Sequence, residues 1–481
     1  MKTTRRSFLF SAAAAGGAGA IAAVGSSAPA GESDGASGPW IVVPEHKVPM
    51  LAEADVVVCG GGTAGIAAAC CAAKHGADVI LLERWPSLGG MATNALVNIW
   101  HTSDRTRQVI FGIVQEAIDR AGGFMHRYAD FPKRPETHWF DPEGMRVVFW
   151  RMLKEAGVRV ICNLTAVESI GAEGRIRAVV VDTKTGRKAV RGRIFIDATG
   201  DGDVAAGAGA PFDFGRTNDG LVQGMTMMFC LGGVDTGSVK AHAAEAERVF
   251  EKMQQLRDEG KFPQFNEGAA SHYLRSGLNQ VPHNMVPAAG NPLDEEELTR
   301  LSIEAREDVF EIVDFWRHEM PGFENAQVTH MGHGIGVRES RRIRGLKTLD
   351  GAMVVGAVKQ PDAIGHGFWM IDIHDPKGSG YTTWSSQKKE LMPPVGESYH
   401  IPLGICLNRS FSNLAVAGRC ASTTHEAQAS VRLQSHSMVM GQGAGTCAAL
   451  ALEAGVEMAA LDIRKLQSVL RGDGVLLENV P

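Results

Sequence analysis

The chain has 481 residues, of which 44% are hydrophobic and 21% charged, and its formal net charge is −6. This composition is typical of a globular protein, and the length predicts more than one structural unit. Beyond the first residues no long basic run occurs, which argues against nucleic acid as a partner. The eight Cys residues contain no C-x-x-C pair, so we expect no iron–sulfur cluster and no metal site.

Residues 1–30 have the features of an export signal. Basic residues are followed by an apolar stretch that is shorter than the roughly 20 residues of a membrane helix. The sequence TRRSFLF, which contains Arg5 and Arg6, resembles the twin-arginine export motif. The alternative is an ordinary secretory signal with an incidental Arg pair. We therefore expect a periplasmic or secreted protein that is not integral to the membrane, with a linker over residues 31–51.

The next segment predicts a dinucleotide-binding unit. An apolar strand over residues 55–59 runs into a turn that satisfies G-x-G-x-x-G, and a helix is predicted to follow over residues 66–75. The turn consists of Gly60, Gly61, Gly62, Thr63, Ala64 and Gly65. In such a unit the first Gly makes the turn, the second lets backbone approach the pyrophosphate, and the third lets helix pack on strand. The helix N-terminus then faces the phosphates.

A carboxylate completes this unit. The second strand, over residues 78–82, ends at Glu83, where a carboxylate can accept hydrogen bonds from both ribose hydroxyls. Arg84 beside it leaves NADP open as the dinucleotide, because an Arg near this position accommodates the 2′-phosphate of NADP. A glycine-rich turn in an unrelated α/β fold is the alternative to the whole unit.

Two further motifs favour FAD over NAD. The residues after Arg84 resemble the E-x5-GG signature of glutathione-reductase-like flavoproteins, and a later strand ends in a second marker of that superfamily. The residues concerned are Gly89, Gly90 and Met91 in the first motif and Ala198, Thr199, Gly200 and Asp201 in the second. The resemblance also implies that Ala166 contacts the adenine through its backbone. No His lies immediately before Gly89, so we expect FAD to be bound non-covalently.

A third block lies near the C-terminus. Residues 413–422 predict a strand and a loop that contains Gly418 and Arg419, and residues 440–449 predict a small-residue turn and a helix that contains Gly443. In the superfamily this return segment brings a helix N-terminus to the flavin, where its dipole stabilises negative charge.

Taken together, these motifs resemble the FAD-dependent oxidoreductase family related to the flavin core of heterodisulfide reductase. Further segments that carry the resemblance are residues 337–345, 371–374 and 401–403. The likeness covers roughly residues 52–465 and implies an α/β fold. We expect a three-layer, Rossmann-like FAD-binding domain of the glutathione-reductase type with an inserted α+β substrate cap. The absence of Cys clusters argues against heterodisulfide reductase activity.

The predicted domain order follows from the position of these blocks. The FAD-binding domain is expected over residues 52–216 and 401–481, with the cap over 217–400. Helices are predicted over residues 106–121, 143–156, 239–259 and 293–319, and strands and hairpins over residues 158–162 and 166–196.

The candidates for catalysis lie in the cap and the return segment. Flavin chemistry on a C–H bond needs a proton acceptor and a group that positions the substrate. We select His374, which follows an apolar strand pattern, as the proton acceptor. Arg338 and Arg432 are selected as the groups that position the substrate. The other His residues considered are 330, 333, 366, 400, 425 and 436. A structural role is the alternative for each His, and an ion pair is the alternative for Arg338.

The chain has no second G-x-G-x-x-G, so a nicotinamide cofactor is not expected to reduce the flavin. We expect a dehydrogenase or reductase of a small organic substrate that exchanges electrons with an external carrier. An oxidase that uses O₂ and a non-catalytic, FAD-holding component of a complex are the two alternatives.

Overall fold

A computed structural model describes residues 47–126, 137–277, 282–379 and 391–481. The predicted export signal and most of the predicted linker lie outside these residues. The compact unit Val48–Pro481 contains all of the elements below. Within the described part of the chain, no helix is both long enough and apolar enough to span a bilayer.

Strands and helices are interspersed along the chain. The strands are β1 (Met50–Cys59), β2 (Val79–Glu83), β3 (Ile99–His101), β4 (Met125–His126), β5 (Thr137–Phe140), β6 (Arg159–Cys162), β7 (Thr165–Ala172), β8 (Arg175–Thr183), β9 (Gly186–Asp197), β10 (Phe212–Phe214), β11 (Met225–Gly232), β12 (Pro282–Ala288), β13 (Gln327–Met331), β14 (Arg341–Ile343), β15 (Ala363–Gly367), β16 (Tyr399–Pro402) and β17 (Leu414–Val416). The helices are α1 (Thr63–Lys74), α2 (Ile113–Ala121), α3 (Pro142–Glu155), α4 (Asp203–Gly207), α5 (Thr236–Ala241), α6 (Ala243–Asp258), α7 (Glu267–Ser276), α8 (Glu295–Glu319), α9 (Gly351–Val355), α10 (His425–Val431), α11 (Gln434–Ala454) and α12 (Ile463–Gly472).

The main sheet has seven strands in the order β6-β2-β1-β9-β8-β7, and β17 also pairs with β9. The pairs β6/β2, β2/β1, β1/β9 and β9/β17 are parallel, whereas β7, β8 and β9 are joined as antiparallel hairpins. Strands from both ends of the chain therefore meet at β9. This mixed sheet with helices confirms the predicted α/β fold class.

Helices α1 and α11 pack closely against each other beside this sheet. A Cβ atom on Gly441 would lie 2.1 Å from the Ala64 carbonyl oxygen, and one on Gly445 would lie 2.2 Å from that of Ala68. Gly443 faces the other side of α11, where a Cβ would lie 2.5 Å from Ile364. The prediction of a flavin-facing turn at Gly443 is therefore wrong, because the small residues here let two buried helices approach each other.

A second hydrophobic core forms around the three-stranded antiparallel sheet β12-β11-β13 and helices α5 to α8. Its buried residues run from Met225 to Ile335, while Ile343 and most of the buried apolar residues that follow it belong to the first core. This second core is the cap. It occupies part of the predicted range 217–400, and the later strands β14 to β16 contribute buried residues to the first core.

Three predicted elements differ from the structure. The helix expected over 106–121 begins only at Ile113, because the Asp104 carboxylate accepts hydrogen bonds from Thr106 N and Arg107 N and closes a turn. The helix expected over 239–259 is broken at His242 into α5 and α6. The segment that ends at His374 is an irregular loop rather than a strand.

Candidate functional site

The first glycine-rich turn has the predicted geometry, since β1 ends at Cys59 and α1 begins at Thr63. A Cβ on Gly60 would lie 2.3 Å from Ala198 O, and one on Gly65 would lie 1.9 Å from Gly60 O. No side chain caps α1, so its first N–H groups are left for a ligand. Because an uncapped helix N-terminus attracts anions, this turn fits a pyrophosphate.

The second glycine pair lies directly beside this turn. Gly89 N donates to Gly61 O at 2.8 Å, and a Cβ on Gly90 would lie 3.0 Å from Gly62 Cα. Gly89 itself has φ +108°, a left-handed conformation that favours glycine. The two glycine-rich loops therefore form one surface of backbone atoms, as a closely held dinucleotide requires.

Glu83 lies beneath the turn. Its Oε2 accepts a hydrogen bond from Gly61 N at 2.5 Å, and its Oε1 accepts one from Trp85 N at 2.8 Å. Burial raises the pKa of the Glu83 carboxyl, while these backbone donors and Arg84 oppose the rise. Each carboxylate oxygen can accept a further bond, so Glu83 can both support the turn and bind ribose hydroxyls.

We expect Glu83→Ala to weaken FAD retention roughly tenfold or more. A charge-assisted hydrogen bond contributes about 1.5–3 kcal/mol, and 1.4 kcal/mol is a factor of ten. Measuring FAD content and the dissociation constant of the purified variant tests this, with Glu53→Ala on the surface of β1 as control. Unchanged retention would contradict the ribose assignment of Glu83.

An ion pair between Asp201 and Arg419 lies beside the turn. Arg419 Nη1 donates to Asp201 Oδ1 at 2.6 Å and to Ser340 Oγ at 2.8 Å. Burial raises the pKa of Asp201, but Arg419, Ser340 and Arg84 together outweigh burial and hold the pKa below its usual value. The pair ties the end of the β9 segment to the loop after β17, so that both loops face the same cavity.

The return segment reaches this cavity at the start of α11. Helix α10 ends at Val431, and α11 begins at Gln434 without a capping side chain. Leu433, Gln434 and Ser437 line the cavity. The helix N-terminus expected from the superfamily is therefore present, upstream of the predicted residues. Neither Ala166, on β7, nor Gly443 is among the described residues that line the cavity.

All of these loops open into one cavity of about 1190 Å³ between the FAD-binding core and the cap. The predicted cofactor residues that line it are Gly60, Gly62, Thr63, Ala64, Glu83, Arg84, Gly90, Met91, Ala198, Thr199, Gly200, Asp201, Gly418 and Arg419. The three predicted catalytic residues, Arg338, His374 and Arg432, line the same cavity. The structure thus brings together residues that are up to 372 positions apart in the sequence.

A carboxylate that the sequence analysis did not select links the predicted catalytic residues. The Asp372 Oδ2 atom lies 3.5 Å from His374 Nε2 and 4.0 Å from Arg432 Nη2. Arg432 Nη2 also donates to the Asp372 carbonyl oxygen at 3.1 Å. Asp372 precedes His374 by two residues, and this proximity in the sequence is the feature from which Asp372 could be predicted. We call Arg338, Asp372, His374 and Arg432 the charged cluster.

The charges of this cluster follow from its burial. Burial, with a smaller effect of Arg338, lowers the pKa of His374 to about 4, so its imidazole is neutral at pH 7. Burial raises the pKa of Asp372, but His374, Arg432 and Arg338 together bring it to about 2. Burial and the neighbouring Arg432 lower the pKa of Arg338 to about 9, which still leaves it charged.

Arg338 is less available to a substrate than the sequence suggested. Its Nη1 donates to Gly224 O at 2.8 Å and to Thr226 Oγ1 at 2.6 Å, while Nη2 donates to Asn284 Oδ1 at 3.0 Å. Three donors of the guanidinium therefore bind cap atoms. Arg338 holds the cap strands in place and contributes positive charge to the cavity, and Arg432 is the better candidate for direct contact.

Most of the other His residues have structural partners. His366 Nδ1 is 2.8 Å from Ser398 Oγ, and His400 Nε2 is 3.0 Å from the Glu478 carbonyl oxygen. Two more are buried in polar contacts, His425 with Glu339 and His436 with Phe368 N. His330 is exposed on β13. Besides His374, His101 and His333 also line the cavity, and His101 stacks on Trp369 with ring centroids 4.0 Å apart.

A strand–turn–helix with a buried Glu at the second strand, joined by a return segment, defines a dinucleotide-binding flavoprotein. The chain belongs to the FAD dependent oxidoreductase family, whose model matches residues 55–470. It is accordingly an FAD-dependent oxidoreductase, and FAD is its cofactor. The uncapped α1 N-terminus, the glycine surface and Glu83 fit this cofactor.

The solved structures to which the chain is similar are distant in sequence. A geranylgeranyl bacteriochlorophyll reductase-like protein from Thermoplasma acidophilum is 12% identical, with 87% of this chain and 83% of that chain covered and a TM-score of 0.44. An L-amino acid deaminase from Proteus myxofaciens is 13% identical, with 89% and 95% covered and a TM-score of 0.40. A p-nitrophenol 4-monooxygenase from Pseudomonas putida is 11% identical, with 88% and 82% covered and a TM-score of 0.41.

Proposed function

We propose that this protein is a dehydrogenase or reductase of a small organic substrate that exchanges electrons with an external carrier. The observation that carries the proposal is the charged cluster, which shares one cavity with the FAD-binding loops. Bound FAD would supply hydride exchange at the flavin N5 atom. The chain's own residues would bind the substrate, orient it and handle the proton.

His374 is the proposed proton acceptor. Its imidazole is neutral at pH 7, so one ring nitrogen can accept a proton from a substrate hydroxyl or amine. Asp372, 3.5 Å from His374 Nε2, would orient the ring and stabilise the cation that forms. A cluster of charged groups in a cavity wall is a typical setting for such perturbed pKa values.

Arg432 is the proposed contact for an anionic group of the substrate. It lies at the break between α10 and α11, so its guanidinium reaches the cavity from the end of a buried helix. Within the described residues its guanidinium donates one hydrogen bond, to the Asp372 carbonyl oxygen, and its buried Nε has no hydrogen-bond partner. Its remaining N–H groups are therefore available to bind a substrate oxygen.

The experiment is a search for compounds that reduce the bound flavin under anaerobic conditions. Loss of the visible flavin absorbance on addition of an organic acid, alcohol or amine would support the proposal. Reoxidation of the reduced protein by O₂ is then compared with reoxidation by a quinone or dye. Faster reaction with the quinone or dye supports a dehydrogenase, and fast reaction with O₂ supports the alternative of an oxidase.

We also propose that the protein is exported by the twin-arginine pathway. The support is the motif TRRSFLF and the short apolar stretch that follows it. That pathway carries folded, cofactor-loaded proteins, which suits a flavoprotein. The relation to the flavin core of heterodisulfide reductase likewise remains a proposal from sequence motifs.

Replacing Arg5 and Arg6 by Lys should leave the precursor uncleaved in the cytoplasm. The paired Arg side chains are the feature that distinguishes this signal from an ordinary secretory one. Cell fractionation and immunoblotting of the doubly substituted protein measure the effect, with Lys2→Arg as control. Normal export of the double variant would favour the ordinary secretory signal.

A further inference from the structure

The cavity continues past the charged cluster into the cap. Arg338 binds Asn284 of β12, and Asn284 lines the cavity together with residues from α6, α7 and α8. These cap residues belong to none of the cofactor motifs. We call this part of the cavity the cap recess; its apolar lining includes Phe250, Tyr273, Leu298 and Ile303, and its polar lining includes Thr299 and Ser302.

The apolar side of the cap recess is firmly supported. Phe250 packs edge-on against Phe265 with ring centroids 6.2 Å apart, and Tyr273 stacks on His283 at 3.8 Å. Both rings therefore belong to the aromatic core of the cap. Ile303 is 55% exposed, so the recess reaches the surface there. An apolar group that enters such a recess gains free energy by leaving water.

The charged cluster at the inner end of the recess has an unbalanced charge. Within the cluster, Arg338 and Arg432 are cations, Asp372 is an anion and His374 is neutral, which leaves one positive charge. The neighbouring carboxylate of Glu339 is already paired with Arg342. Buried charges are stable when they are paired. A carboxylate has the single negative charge that balances this cluster, whereas a phosphate monoester carries about −1.5 to −2.

We propose that the substrate is an amphipathic organic carboxylate, with its carboxylate at Arg432 and an apolar chain or ring system in the cap recess. This rests on the proposed function in that it takes the charged cluster as the substrate site. Beyond the proposed function, the cap recess becomes a second substrate subsite, and the substrate class becomes an amphipathic carboxylate.

Binding of straight-chain alkyl carboxylates, from acetate to decanoate, tests the recess. The oxidised holoprotein is titrated with each acid, and the perturbation of the visible flavin spectrum gives a dissociation constant. We expect affinity to rise roughly fourfold per methylene group until the recess is filled, the factor that follows from the transfer free energy of a CH₂ group. Affinity that does not depend on chain length would overturn the proposal.

Filling the recess should remove this dependence. Ser302 and Thr299 both line the cavity from α8, so Ser302→Trp and the more exposed Thr299→Trp would each place a large ring in it. We expect acetate to bind as in the wild type and octanoate to lose at least tenfold in affinity. The matched control is Glu311→Trp, on the exposed side of the same helix. Wild-type chain-length dependence in both recess variants would contradict the assignment.

The two proposals can fail separately, because these titrations need no turnover. Chain-length-dependent binding without flavin reduction by any compound would refute the catalytic proposal and support the recess. A flat alkyl series, together with a substrate whose kcat/KM is unchanged by both recess variants, would refute the recess and leave the catalytic proposal intact.

Discussion

Replacing His374 by Ala is expected to slow reduction of the bound flavin by its substrate by about two to four orders of magnitude. General-base catalysis typically contributes a factor of this size. The variant should keep its FAD, because His374 belongs to the charged cluster and not to the dinucleotide loops. Stopped-flow absorbance under anaerobic conditions measures the rate. Exogenous imidazole should restore part of it by occupying the space that Ala leaves.

The pH dependence tests the lowered pKa of His374. Because the pKa of His374 is lowered to about 4, the imidazole stays unprotonated as the pH falls from 8 to 5. The wild-type rate of flavin reduction should therefore lack an acidic limb near the ordinary His value of about 6.5. An acidic limb near that value would contradict the lowered pKa of His374, whereas an Ala variant with the wild-type rate would exclude His374 as the base.

Replacing Gly62 by Ala should weaken FAD binding by roughly ten- to a hundredfold and leave the fold intact. Gly62 has φ −74°, which Ala adopts without strain, and its nearest described contact for a Cβ is Gly90 Cα at 4.0 Å. The added methyl group would instead occupy space that the pyrophosphate needs. Overpacking costs about 1–3 kcal/mol, and a cost of this size corresponds to the expected loss of FAD affinity.

Gly472→Ala is the matched control. Gly472 lies at the end of α12, and a Cβ there would meet no described atom within 4 Å. Thermal unfolding of the two apoproteins should agree with that of the wild type, and only Gly62→Ala should have lost FAD affinity. Equal FAD affinity in both variants would mean that the cofactor does not approach the backbone at Gly62.

The dinucleotide unit could be predicted because its signals are local. A short continuous run of apolar residues marks β1, and the spacing from Gly60 to Gly65 marks the turn into α1. Glu83 follows from the length of the intervening helix and strand. Every one of these features lies within about thirty residues, so short-range patterns were sufficient.

The structure of the return segment was harder to predict from the sequence. Its small residues can either let two helices pack closely or let backbone approach a ligand. Gly441 and Gly445 have the spacing of one helix face, and they pack α11 on α1 rather than facing a ligand. Only the partner helix, which is far away in sequence, distinguishes these uses. The break at Arg432 and Leu433 likewise has no Pro or Gly to mark it.

The catalytic candidates could be predicted only in part. His374 and Arg432 were selected by residue type, but their common neighbour Asp372 becomes evident only when the loop and the α10–α11 break are placed together. Arg338 was predicted to position the substrate, but in the structure its guanidinium binds Gly224, Thr226 and Asn284. The sequence does not show these contacts. Long-range contacts of this kind leave no local pattern.

The most direct test of the central claim is an anaerobic titration of the FAD-loaded protein with the compounds selected by the flavin-reduction screen. If FAD and substrate share the cavity beside the charged cluster, one equivalent of a true substrate should bleach the flavin, and Arg432→Gln should weaken that compound's binding. A protein that retains FAD but whose flavin spectrum no organic acid, alcohol or amine changes would contradict the account. That result would instead indicate a non-catalytic, FAD-holding component of a larger complex.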